Sequence, residues 1–82
     1  MSEDNFLLVQ RLFRVATDKN IKISFAESCT GGLLGASVTE MAGASEFFLG
    51  SAVTYSNEAK EDILGVNKTT LEKYGAVSAE CA

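Results

Sequence analysis

Apolar and polar positions change their spacing several times along this chain, and each change marks an element. Phe6, Val9, Leu12 or Phe13, and Ala16 recur at three- and four-residue steps, which predicts an amphipathic helix from Phe6 to Thr17. Asp4 or Asn5 is placed to cap it, and Asp18-Lys19-Asn20 ends it. Ile21-Lys22-Ile23-Ser24-Phe25 alternates branched or aromatic with polar residues, the pattern of a strand. Helical spacing returns from Leu33 to Met41, with Thr30-Gly31-Gly32 as cap region and Gly43 as stop. Phe47 to Tyr55 reads as a second strand, rich in aromatic and β-branched residues, and Gly50 inside it suggests a bulge or a close approach. Ser56 and Asn67 can cap two short helices that run to Leu64 and Tyr74 and close on Gly65 and Gly75. Ser78 looks like the cap of one further helix.

The order is helix, strand, helix, strand, helix, helix, an α/β alternation with short links. Independent sheets usually need three or more strands, so two are too few to cover their helices alone. The expectation is the first half of a larger α/β domain, or a fragment completed by oligomerisation. The 82 residues suffice for one small domain, and 46% apolar content makes it globular. No internal repeat, linker or low-complexity segment is visible.

The stretch that could carry chemistry is Ala26-Glu27-Ser28-Cys29-Thr30-Gly31-Gly32. A strand delivers it to the start of a helix, where N–H groups lack partners and the macrodipole adds partial positive charge. Such a turn suits an anion or a developing oxyanion, and glycines let another molecule approach the backbone.

Composition narrows the choice of chemistry. Histidine is absent, which removes Ser-His-Asp and Cys-His catalysis. With only two cysteines, Cys29 and Cys81, neither a zinc site nor a disulfide framework is expected. Reduced thiols in a cytoplasmic protein are the simpler reading. The net charge of −4 offers no footprint for direct nucleic-acid binding. The acidic N-terminus has the wrong charge for a signal peptide, and no apolar run reaches transmembrane length.

A serine without histidine needs another base. Lysine serves where burial or a positive field lowers its pKa. Of Lys22, Lys60, Lys68 and Lys73, Lys60 is best placed, one helical turn beyond the second strand. If the strands are neighbours, their C-terminal ends lie side by side, the edge where open α/β sheets bind ligands. Ser28 and Lys60 would meet there, with Tyr55 and Ser45 near them. Ser28 can equally be a helix cap, and Lys60 a solvated helix residue. Cys29 is a rival nucleophile or a small buried side chain. Glu27 can orient Lys60 or cap locally, Thr30 can contact ligand or cap the helix, and Ser45 can bind substrate or cap a turn. Phe6, Phe13, Phe47 and Phe48 are expected in the core.

Ala-Glu-Ser-Cys-Thr-Gly-Gly at 26–32, Val-Thr-Tyr-Ser-Asn-Glu-Ala-Lys at 53–60 and Gly-Ala-Val-Ser at 75–78 together resemble the C-terminal domain of the competence/damage-inducible CinA family. Its stand-alone members are bacterial nicotinamide mononucleotide deamidases. The resemblance implies a three-layer α/β/α domain, here its N-terminal part over residues 1–82, and a homo-oligomer. It implies hydrolysis of a small-molecule nucleotide, nicotinamide mononucleotide, to nicotinate mononucleotide and ammonia, without metal or cofactor. By that resemblance the catalytic serine falls on Ser28, the lysine on Lys60 and the tyrosine on Tyr55. Glu27, Cys29, Thr30, Gly31, Gly32 and Ser45 are then expected at the substrate. The oxyanion would rest on N–H groups near Thr30 to Gly32.

There are departures. The family domain is roughly twice this length, in line with ordinary single domains. Its second half carries a glycine-rich loop and an arginine expected near the substrate phosphate. Relatives often have Gly-Ser-Ser before the second strand; Gly43-Ala44-Ser45 keeps one hydroxyl. The alternatives are a non-catalytic nucleotide- or anion-binding module, or an inactive assembly fragment.

Overall fold

The computed structural model describes residues 2–82. Its elements are helix α1 (Glu3–Lys19), strand β1 (Ile23–Glu27), helix α2 (Leu33–Thr39), a 3-10 turn (Ala44–Glu46), strand β2 (Phe48–Val53), helix α3 (Asn57–Leu64) and helix α4 (Lys68–Tyr74). The order of helices and strands is the expected one, and several boundaries move for local reasons.

Helix α1 starts at Glu3 because Ser2, not Asp4 or Asn5, caps it: the Ser2 hydroxyl accepts from the Asn5 N–H at 3.1 Å. It ends on Asn20 in the left-handed region at φ 54°. Strand β1 begins two residues late because Ile21 is still tied back to α1, its N–H donating to the Ala16 carbonyl at 2.9 Å. Helix α2 stops at Thr39, short of Met41, and Gly43 instead heads the 3-10 turn at φ 87°. Phe47 closes that turn, so β2 starts at Phe48. Ser56 caps α3 as expected, its hydroxyl accepting from the Ala59 N–H at 3.0 Å. Asn67 holds the corresponding position on α4 without a side-chain cap bond. Ser78 accepts from the Cys81 N–H at 3.1 Å, and its carbonyl from the Ala82 N–H at 3.2 Å, so it heads a turn and not a further helix.

Strands β1 and β2 pair in parallel with α2 as the crossover. Ile23 pairs with Phe48, but Ser24 pairs with Gly50, so Leu49 is a surplus residue. This is the bulge that Gly50 suggested, and Gly50 takes φ 148° there. Beyond it, Phe25 pairs with Ser51 and Glu27 with Val53.

The core lies between this sheet and the helices α1 and α2. Ala16, Val38, Ala44 and Phe47 are buried, with Leu12, Phe13, Ile23, Phe25 and Phe48 packed on them. Phe47 is fully enclosed and meets the Phe13 ring edge-on at 5.6 Å. Burying that ring contributes on the order of 2–3 kcal/mol. Phe6 was expected in the core and is not: it is 41% exposed, and Val9 and Ala16 form the buried stripe of α1. Among the described residues, no helix is long and apolar enough to cross a membrane.

Candidate active site

At the C-terminal edge of the sheet, two neighbouring residues face in different directions. Ser28 follows the last residue of β1. Lys60 is the fourth residue of α3, delivered by the short Thr54-Tyr55-Ser56 link from β2. Its side chain runs inward and is 5% exposed. Lys60 Nζ donates to Ser28 Oγ at 2.9 Å, to the Thr54 carbonyl at 2.7 Å and to the Tyr55 carbonyl at 2.9 Å. All three partners are neutral oxygens.

Thr54 fixes this arrangement. It is 2% exposed, and its N–H donates to the Glu27 carbonyl at 2.8 Å, so the ends of both strands are locked together. The pair opens on a cleft of about 260 Å³ whose lining includes Ser28, Thr54, Lys60, Leu64, Val66 and Cys81.

Glu27 points the other way, toward α2, and is also 5% exposed. Its Oε1 accepts from the Thr30 hydroxyl at 2.7 Å and the Leu34 N–H at 2.8 Å. Its Oε2 accepts from the Gly35 N–H at 3.0 Å, and the Ser51 hydroxyl adds a further bond. Burial alone would raise the pKa of this carboxyl. The bonds from Thr30, Gly35, Leu34 and Ser51 outweigh it and hold the group below its ordinary value of 4.5. Of the two roles open to Glu27, local capping is the one seen; it makes no hydrogen bond to Lys60. Thr30 caps nothing directly and instead serves this carboxylate.

The turn between them is opened by glycine. Gly31 and Gly32 take φ 64° and 107°, which L side chains rarely adopt. The Gly31 N–H is used inside the turn on the Ser28 carbonyl at 3.0 Å, and the Leu33 N–H reaches the Thr30 carbonyl at 3.3 Å. Among the described residues, the N–H groups of Cys29, Thr30 and Gly32 have no partner. Cys29 is an exposed free thiol, not a buried filler.

Tyr55 and Ser45 stand apart from the Ser28–Lys60 contact. Tyr55 reaches Lys60 through its backbone carbonyl, and the residue is 74% exposed. Ser45 does not join the group. It lies on the 3-10 turn before β2, at the opposite end of a six-residue strand, and lines a separate depression with Thr39, Met41 and Phe48. A strand of that length separates the two ends by roughly 17–20 Å.

Residues that sequence reasoning missed are Thr54, Ser51 and Gly35. Gly35 sits inside α2, where a Cβ would stand 2.6 Å from Ser51 Oγ and 3.2 Å from Glu27 Oε2. An isolated glycine in a helical pattern was the available signal. Thr54 acts through its main chain and leaves no such mark. No group of three or more His, Cys, Asp or Glu among the described residues could hold a metal ion.

The model of the CinA C-terminal domain matches residues 6–82. The chain belongs to the CinA C-terminal domain family. It is 53% identical over 70 residues to a CinA-like protein of Fervidobacterium nodosum, covering 85% of this chain and 17% of that protein. With the CinA-like protein of Desulforapulum autotrophicum it shares 48% over all 82 residues, 19% of the relative. Its fold matches the crystal structure of the competence/damage inducible protein CihA from Agrobacterium tumefaciens at a TM-score of 0.97 and 43% identity, over all of this chain and 50% of that one. A CinA superfamily protein from Escherichia coli matches at 0.93 and 30%, over all of this chain and 49% of that one. This CinA chain thus spans about a fifth of those curated relatives and half of the solved chains.

Proposed function

We propose that this CinA chain carries the Ser–Lys pair of an amidohydrolase that converts nicotinamide mononucleotide to nicotinate mononucleotide and ammonia. The observation that carries the reading is the set of oxygens around Lys60 Nζ: two carbonyls and the Ser28 hydroxyl. In this reading Lys60 is in its neutral form, with two N–H bonds and one lone pair in place of the three donations an ammonium makes. Carbonyls only accept, so the carbonyls of Thr54 and Tyr55 take both N–H bonds. The lone pair is left for the one partner with a proton to give, Ser28.

In this reaction Lys60 removes the Ser28 proton as Oγ bonds to the carboxamide carbon. Negative charge develops on the carboxamide oxygen, and the free N–H groups of Cys29, Thr30 and Gly32 are the donors available to it. Lys60 then protonates the leaving nitrogen as the C–N bond breaks and ammonia departs. Water attacks the acyl-serine and passes its proton to Lys60. The C–Oγ bond breaks, and Ser28 recovers its proton. Tyr55 contributes its carbonyl to this cycle.

Residues 1–82 are then the N-terminal part of one CinA domain, whose remainder would supply phosphate contacts. A cytoplasmic homo-oligomer acting on a small nucleotide, with no nucleic-acid or membrane partner, belongs to the same reading. The test is ammonia release from nicotinamide mononucleotide, measured for this chain beside a full-length version and for Ser28→Ala in each. Release that depends on Ser28 is expected. Undiminished release from Ser28→Ala refutes the scheme.

A second reading rests on the same free N–H groups: a nucleotide- or anion-binding module without turnover. Ligand binding with no ammonia release, and no effect of Lys60→Ala on any chemistry, would favour it.

A further inference from the structure

The Glu27 carboxylate spends its whole hydrogen-bonding capacity away from the cleft. Its donors come from three places: Thr30 in the turn, Leu34 and Gly35 in the first turn of α2, and Ser51 on β2. The residue itself closes β1, and its carbonyl accepts from Thr54. One side chain thus joins the strand that delivers Ser28, the turn that carries Ser28 and the helix that follows. The turn has little of its own to hold it. It contains two left-handed glycines and two internal main-chain bonds, from Gly31 and Leu33.

We infer that Glu27 is a positioning residue, a brace that fixes the turn so that the Ser28 hydroxyl meets the Lys60 amine. This rests on the reading of Ser28 as nucleophile. Glu27 borders the cleft but its carboxylate makes no hydrogen bond to Lys60 or to the Ser28 hydroxyl, so its effect passes through the backbone of the adjacent residue. A shift of about 1 Å at a reacting atom is enough to cost on the order of a hundredfold in rate. Ser51 belongs to the same brace, and the Leu49 bulge is what turns its side chain to Glu27.

Glu27→Gln keeps the shape but sets an amide N–H₂ against one of the donors that the carboxylate now satisfies. The expected result is a fall in kcat of about a hundredfold, with KM for nicotinamide mononucleotide within about twofold. Sulfonylation of Ser28 by phenylmethylsulfonyl fluoride, followed by mass spectrometry, should slow in parallel. Circular dichroism of the same samples measures the folded fraction, and that fraction must not explain the loss. Ser51→Ala removes one arm of the brace and leaves the bonds to α2, so it should lower kcat several-fold. It also carries the test if Glu27→Gln does not fold.

Wild-type rates of turnover and sulfonylation in folded Glu27→Gln, or in Ser51→Ala where Glu27→Gln does not fold, overturn the brace and leave the nucleophile standing. A rise in KM at constant kcat overturns it in favour of substrate binding. Absence of both turnover and sulfonylation in the unmutated protein sinks the nucleophile reading, and the brace with it.

Discussion

Glu27 and Lys60 are equally buried, flank Ser28 and make no hydrogen bond to one another. The carboxylate side is closed: donors surround it, and two of them are main-chain N–H groups at a helix start. The amine side differs: two carbonyls fix its orientation, and the third contact is a hydroxyl, a group that can donate as well as accept. Burial of a charged residue therefore means different things on the two sides of Ser28. A group satisfied wholly by fixed partners stiffens the structure, and one that shares a proton with a neighbour can do chemistry.

The sharpest way to break this contrast is at the amine side. Ser28→Ala should abolish ammonia release while nucleotide binding persists, and Lys60→Met should lower turnover by on the order of a thousandfold. Steady-state kinetics with calorimetric binding checks both. Equal activity in either variant removes the distinction between the two sides.

Next is Gly35→Ala, aimed at the carboxylate side. The new methyl would press on Ser51 Oγ and Glu27 Oε2, at 2.6 and 3.2 Å. A loss of about 1–3 kcal/mol in urea unfolding is expected. Adding Ser51→Ala relieves the closer clash, so the double variant should recover part of it.

A smaller effect follows from acid. The Glu27 pKa is depressed in the folded state, so the unfolded chain binds a proton more readily. The stabilisation is complete above the ordinary value of 4.5 and is lost as pH falls through the folded pKa. Unfolding midpoints should therefore fall more steeply below about pH 4.5 in the wild type than in Glu27→Gln. The smallest effect is at Ser45, set apart at the far end of β2: Ser45→Ala should change turnover less than about twofold.

Much of this was legible beforehand. Periodicity alone gave the order of helices and strands, Gly50 marked the bulge, and Ser56 and Ser78 marked their caps. Placing both at the same sheet edge made a meeting of Ser28 with Lys60 one of two readings, and the family resemblance selected it. The failures share a cause. The role of Glu27 depends on groups seven and eight residues ahead and on Ser51 across the sheet. Thr54 and Tyr55 act through carbonyls, which every residue possesses. Phe47 and Phe48 both pack in the core, and only the 3-10 turn decides that the strand begins at the second of them. Phe6 fits the helical stripe but is left 41% exposed.

Leu49 shows how much can hang on one inserted unit. Were Leu49 paired with Ser24 in a regular ladder, each later residue of β2 would slide one place along β1, about 3.3 Å, and face the other way. Ser51 would turn its back on Glu27, and the carbonyls that steer Lys60 would arrive out of phase with Ser28. Parity in an ordinary strand thus decides whether Ser28 and Lys60 meet at all.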